Sequence, residues 1–140
     1  MEREYAIEKG LELIKNSRIA LVGSIDNEDF PNIKAMMNLK SEGLGRIWFS
    51  TNTSSRRVSY LQNNIRACVY YVDAEKFMGL MLVGTIQVSQ DDELRKELWA
   101  EGCEAYYPLG ITDPDYSILC FTAERGNFYQ GLQNLDFEIE

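Results

Sequence analysis

Most of this chain falls into short apolar runs bounded by turn residues, and in a few stretches the apolar positions recur with the period of a helix. The chain opens on one of the latter. Ile7, Leu11 and Ile14 fall on one helical face, with Glu4, Glu8, Glu12 and Lys15 elsewhere around the cylinder, which predicts an amphipathic helix within Met1 to Ser17. Ile19 to Ile25 reads as a strand, Asp26-Asn27-Glu28-Asp29 supplies turn chemistry, and Phe30 to Lys40 is extended again, so the two extended runs form a hairpin. After a break at Ser41 to Gly45, the run Arg46 to Thr51 is rich in β-branched and aromatic residues and predicts a third strand. From Ser54 or Ser55 the pattern turns helical, with Val58, Leu61 and, at its margin, Ile65 inward, and Asn63-Asn64 stops it.

Arg66 to Val72 resumes as strand, and Asp73 to Lys76 is a turn. Phe77 to Val88 is long and apolar, with Gly79 and Gly84 placed as glycines are where a barrel strand bends. Ser89-Gln90-Asp91-Asp92 matches a capping box and opens a helix carrying Leu94, Leu98 and Trp99. A loop from Gly102 to Asp115, a strand from Tyr116 to Thr122, the run Asn127-Phe128-Tyr129 and an acidic tail complete the chain. About six strands with short helices between them and no βαβ alternation predict a mainly β (α+β) fold, a small Greek-key-like antiparallel barrel with short flanking helices. Without an internal repeat or a low-complexity linker, residues 1–140 read as a single domain.

Composition narrows the partners. A hydrophobic content of 45% in 140 residues suffices for one sizeable core. The net charge of −8 repels the phosphates of nucleic acid and the anionic face of a membrane, so neither is an expected partner. The polar, helix-like start does not resemble a secretion signal, and the cysteines Cys68, Cys103 and Cys120 are odd in number and widely spaced; both features suit a reducing, cytoplasmic setting.

Several active-site chemistries are excluded outright. The sequence contains no histidine, which removes Ser-His-Asp and Cys-His relays and the commonest zinc ligand, and no metal site is expected. Neither a C-x-x-C pair nor a Walker loop is present. Clusters such as Asp91-Asp92-Glu93 suit a helix N-terminus. What remains is Phe49-Ser50-Thr51-Asn52-Thr53-Ser54-Ser55-Arg56-Arg57, where hydroxyls and two guanidinium groups meet as a strand runs into a helix. A phosphate dianion wants hydrogen-bond donors, positive charge and unpaired backbone N–H groups together, and this segment offers all three. Spacing alone equally allows a capped surface helix with two solvated arginines.

The stretches Asp29-Phe30-Pro31-Asn32-Ile33-Lys34-Ala35-Met36, Ile47-Trp48-Phe49-Ser50-Thr51-Asn52, Ser55-Arg56-Arg57 and Asn63-Asn64, in this order, resemble the pyridoxamine 5'-phosphate oxidase-like split-barrel flavoproteins. Asp92-Glu93-Leu94, Leu98-Trp99, Tyr107-Pro108-Leu109-Gly110 and Asp113-Pro114 are similar to the general stress protein branch, so the likeness runs from about Ala20 to Tyr129. The resemblance implies a split β-barrel that binds FMN. Phe49, Ser50, Thr51, Ser54, Ser55, Arg56 and Arg57 would then form the phosphate and ribityl cradle, and Lys34, with the backbone of Ala35 and Met36, would face the flavin ring. A lysine there would favour the anionic reduced flavin; read from pattern alone, Lys34 suits a solvated strand face equally well. The resemblance also implies a homodimer with the flavin at the interface, where Trp99 and Tyr107 of a second copy would close over the ring. Packing in the core is the other reading of Trp99.

The chain departs from the vitamin-forming oxidases at its end. Leu135-Asp136-Phe137-Glu138-Ile139-Glu140 holds neither the arginine nor the histidine that binds their substrate, and when the long strand is aligned with theirs through Gly84, Gly79 stands where those enzymes contact flavin through glutamine. The resemblance therefore points to an FMN-dependent oxidoreductase acting on a small molecule other than pyridoxamine phosphate. Its alternatives are a non-catalytic flavin-binding or stress-related module and a deazaflavin-binding relative.

Overall fold

In a computed structural model that describes residues 1–140, each run read as extended lies in a strand of one antiparallel sheet. The elements in chain order are α1 (Arg3–Asn16), β1 (Ile19–Ile25), β2 (Pro31–Glu42), β3 (Arg46–Asn52), α2 (Arg56–Asn63), β4 (Arg66–Asp73), β5 (Met78–Ser89), α3 (Asp92–Glu97), β6 (Tyr116–Gln130) and β7 (Gln133–Glu138). Single 3-10 turns at Cys103–Ala105 and Gly110–Thr112 lie between α3 and β6. The strands pair in the order β3-β2-β1-β4-β5-β6-β7, and an additional β3–β6 pairing closes the first six into a barrel. The seventh strand extends the sheet outward from β6.

Alternation places Ala20 and Val22, Ile47 and Phe49, Val69 and Tyr71, Leu80 and Leu82, and Leu119 and Phe121 inside the barrel, all nearly or fully buried. A second, smaller core forms on the outer side of β3 and β6, where α3 and the loop after it cover Trp48, Tyr116 and Ile118 with Leu98, Cys103 and Tyr107. The barrel bends at Gly84. A register shift between Val83 and Gly84 brings the backbone of β6 so close that a Cβ at Gly84 would lie 1.9 Å from the Thr122 carbonyl oxygen.

Four sequence expectations are corrected. The buried face of α1 is Ala6, Gly10, Leu13 and Ile14; Ile7 packs only partly, and Leu11 is 39% exposed. Gly10 explains the rotation of the helix, because a Cβ there would stand 3.3 Å from Leu80 Cδ1, so α1 approaches the sheet on its small residues. The cap of α3 is Asp91, whose Oδ2 accepts from the Leu94 N–H at 3.0 Å, and Ser89 remains in β5 paired with Ile118, so the helix cannot start there. Ile65 lies beyond α2 and is 49% exposed. The last strand does not stop at Thr122: β6 runs to Gln130, Gly131 turns the chain at φ +60°, and the acidic tail becomes β7 with Phe137 buried.

What positions the site is a parting of two strands. β2 pairs with β3 only from Asn38↔Phe49 to Glu42↔Arg46, with a bulge between Asn38 and Lys40. Beyond it, Pro31 to Met37 pair with β1 alone, and Ser50 to Asn52 pair with β6 alone. Two strand edges therefore face each other without a ladder between them.

Candidate functional site

The gap between the parted edges is a cleft of about 280 Å³. Its walls are Lys34 to Met37 of β2 with Ile19 of β1, Ser50 to Asn52 of β3, Arg57 in the first turn of α2, and Cys103, Tyr106 and Tyr107 from the loop after α3. Lys34 and Met36 share the barrel-facing side of β2 with their partners Val22 and Ala20, yet Lys34 is exposed because the barrel opens there. Ala35 and Met37 turn outward with Leu21 and Ile19.

At one end of the cleft β3 runs into α2. Ser55 is the N-cap residue, but its side chain caps no backbone N–H and lies 3.4 Å from Thr51 Oγ1 instead. No acidic residue stands in the first turn of α2. The first turn thus carries no acidic compensation of its own, and the carboxylate beside it is Asp115, which accepts from the Ser54 N–H just before the cap. Arg57 adds a half-buried guanidinium that takes part in none of the molecule's four ion pairs, and its Nε is buried without a hydrogen-bond partner. Burial draws the Arg57 guanidinium below its ordinary pKa, as expected of a cation removed from water without a counter-charge. Donors, positive charge and an orphaned polar atom converge, and the arrangement fits a phosphate monoester or a similar anion.

The opposite wall is aromatic. The Tyr107 ring is 3% exposed and packs on Tyr116 at a centroid distance of 4.7 Å, with Trp99 5.2 Å from Tyr116. Burial pushes the Tyr107 phenol above its ordinary value, with the Ser50 side chain partly opposing that shift. Tyr106, 64% exposed, stands at the mouth. Carboxylates are missing from the lining altogether.

Of the residues singled out from the sequence, the fold brings Lys34, Ala35, Met36, Ser50, Thr51 and Arg57 together around the cleft. Ser55 lies at its edge through Thr51. Phe49 points into the main core, and Arg56 is exposed on α2. Ser54 is exposed, and its backbone N–H donates to Asp115 Oδ1 at 2.8 Å. Tyr107 lines the cleft of its own chain, and Trp99 packs behind it with Tyr116. Sequence reasoning did not single out Ile19, Met37, Asn52, Cys103 and Tyr106 as site residues. Only Asn52, inside the hydroxyl-rich segment, and Tyr106, in the Tyr-Tyr-Pro run, carried any local signal.

Comparison with known proteins identifies the family and its fold. A crystal structure from Clostridium acetobutylicum of a protein related to general stress protein 26 of B. subtilis (pyridoxinephosphate oxidase family) is 52% identical over 99% of this chain and 97% of that one, with a TM-score of 0.90. General stress protein 26 from Bacillus anthracis shares the fold at 17% identity, over 94% of this chain and 97% of that one, with a TM-score of 0.80. A heme binding protein from Mycobacterium smegmatis shares it at 16% identity, over 99% of this chain and 60% of that one, with a TM-score of 0.77. No curated protein matches the sequence. The family described as pyridoxamine 5'-phosphate oxidase like matches residues 5–138, nearly the full length, and the chain belongs to that family.

Proposed function

We propose that the cleft binds FMN and that the protein is an FMN-dependent oxidoreductase of a small molecule other than pyridoxamine phosphate. The observation that carries this reading is Arg57, a half-buried guanidinium with an unpartnered Nε beside Ser50 and Thr51, at a helix start with no acidic residue in its first turn. FMN supplies the electron-pair chemistry when bound. The chain's own residues bind, orient and shield. Arg57, Ser50 and Thr51 hold the phosphate end, and the unpaired edge of β2 from Lys34 to Met37 offers backbone donors and acceptors to the polar rim of a flat ring. Lys34 brings a positive charge to that side, and Tyr106, Tyr107 and Cys103 keep water from the opposite side.

Two further features favour this reading. The C-terminal segment is held in β7 against residues 125–130 of β6, whereas the cleft residues Ser50 to Asn52 pair with residues 116–118 at the other end of that strand. The residues of β7 therefore lie away from the cleft and contribute nothing to a second phosphate site there. At about 280 Å³ the cleft is small beside typical ligand sites of roughly 300–1,000 Å³. The exposed apolar residues Ile19, Leu21 and Ile33 next to it suit burial against a second copy, which would complete the enclosure as a homodimer. The three free thiols suit a cytoplasmic setting.

The lining also favours a second reading. Without a carboxylate or histidine, the cleft offers few side chains to shuttle a proton, which suits a module that holds flavin without turnover. An absorption spectrum of the freshly purified protein, with chromatographic identification of what it releases, tests the cofactor. A colourless protein that takes up no added FMN sinks both readings. Bound FMN that is reduced by a nicotinamide or chemical donor and reoxidised over repeated cycles supports the oxidoreductase, and bound FMN without turnover leaves the holding module.

A further inference from the structure

The loop from Asn52 to Ser55 sets where α2 begins, and so where Arg57 stands relative to Ser50 and Thr51. It makes one internal turn bond, from the Ser55 N–H to the Asn52 carbonyl at 2.9 Å. The Thr53 hydroxyl ties it to β6 and to the end of β5, lying 2.6 Å from Ser117 Oγ and accepting from Gln90 Nε2 at 3.1 Å, and its remaining anchors come from one residue more than sixty positions away. The Thr53 N–H donates to the Asp115 carbonyl at 2.8 Å, the Ser54 N–H to Asp115 Oδ1 at 2.8 Å, and the Asn52 side-chain amide to Asp115 Oδ2 at 2.7 Å. Both carboxylate oxygens of Asp115 are thus engaged, and these contacts hold its carboxyl below the ordinary value. Asp115 is itself fixed, since its N–H donates to Asp113 Oδ1 at 2.9 Å and buried Asp113 also accepts from the Leu109 N–H. Asp115 does not line the cleft, so it braces the loop from behind.

We propose that Asp115 is the positioning residue of the phosphate end: it latches the loop that carries α2 to the loop that carries Tyr106 and Tyr107, and thereby lets the site distinguish a phosphorylated flavin from an unphosphorylated one. This rests on the FMN reading above. A carboxylate near an anion site is unfavourable by charge, and its presence is explained by what it holds. Its oxygens accept charge-assisted hydrogen bonds from the loop, which fixes the start of α2 before a ligand arrives. A neutral side chain lacking acceptors at this position would free the Ser54 N–H and the Asn52 amide and let α2 shift. Riboflavin, which has no phosphate, would not sense that shift.

The experiment compares wild type, Asp115→Ala and Asp115→Asn by titration with FMN and with riboflavin, and by hydrogen exchange at the Ser54 amide. In Asp115→Ala the preference for FMN over riboflavin should fall by about tenfold, with riboflavin affinity unchanged and Ser54 exchange accelerated. Asp115→Asn keeps an acceptor for the Ser54 N–H, and it should restore most of the preference. A parallel loss of both affinities in Asp115→Ala means general destabilisation and overturns the proposal, as does an unchanged preference, whatever Ser54 does. Wild type that binds neither flavin removes the FMN reading; wild type that binds both while Asp115→Ala leaves their ratio intact removes the latch alone.

Discussion

Arg57→Met separates a residue kept for a ligand from one kept for the fold. Methionine preserves an unbranched apolar stem and removes the guanidinium. In the free protein the Arg57 Nε is buried without a partner. An unsatisfied buried polar group costs about 1–3 kcal/mol, and because Arg57 is only half-buried the lower end applies, about 1 kcal/mol. The flavin-free variant should therefore be as stable as wild type or more so, by up to about 3 °C in Tm. Binding should move the other way. Hydrogen bonds from a charged donor contribute about 1.5–3 kcal/mol, which predicts a rise in the Kd for FMN of roughly 10- to 150-fold. The assay is paired: thermal denaturation of the flavin-free proteins, and titration of each with FMN. A variant melting more than about 3 °C below wild type would show that Arg57 supports the core, and a Kd within about threefold of wild type would show that it holds no phosphate. Either result refutes the reasoning.

Two more predictions concern the scaffold. Gly84→Ala meets backbone atoms of Thr122 and Ala123 that cannot rotate away, so it should cost at least the roughly 1–3 kcal/mol of ordinary overpacking; Gly79→Ala, which meets the side-chain ends of Tyr129 and Tyr70, should cost less, and urea denaturation that reversed this order would contradict the bulge geometry. Asp26 accepts from the Glu28 and Phe30 N–H groups and from Asn32 Nδ2, which depresses its carboxyl pKa, so its contribution is present above the ordinary value of 3.8 and is lost as pH falls through the lower folded value. The stability gap between wild type and Asp26→Asn should hold steady from neutral pH down to that ordinary value and close below it, as read from Tm against pH; a gap that widened in acid would reverse the assigned sign.

β3 was legible because Ile47 and Phe49 point inward between outward Arg46, Ser50 and Asn52, and β5 because it is a long apolar run broken by glycines. α1 was legible as a helix but not in its orientation. Its buried face includes Ala6 and Gly10, small because the sheet comes close, and a reading by hydrophobic bulk prefers Ile7 and Leu11. β6 beyond Thr122 was hidden by Glu124, Arg125, Gly126 and Asn127. Gly126 reads as a break, whereas it leaves room for the Phe137 ring, which a Cβ would meet at 2.8 Å. In the candidate site, the meeting of Ser50, Thr51 and Arg57 was legible because strand end, hydroxyls and arginine are contiguous in the chain. Ile19, Cys103 and Tyr106 were not, because pairing of β1 with β2 and the packing of the loop after α3 bring them there over long sequence separations.

Closure of the barrel leaves no unpaired edge among its six strands except at the split, but β7 restores one, since no strand pairs beyond it and only the Arg3 guanidinium of α1 reaches it, at the Glu138 carbonyl. An open strand edge is a template on which another chain can add and aggregate. Here that edge is short, six residues, and it carries Asp136 and Glu138, followed by Glu140. Like charges brought into register by edge-to-edge stacking would repel one another, so the acidity at the C-terminus works as a guard on the sheet and keeps the chain from polymerising through its last strand.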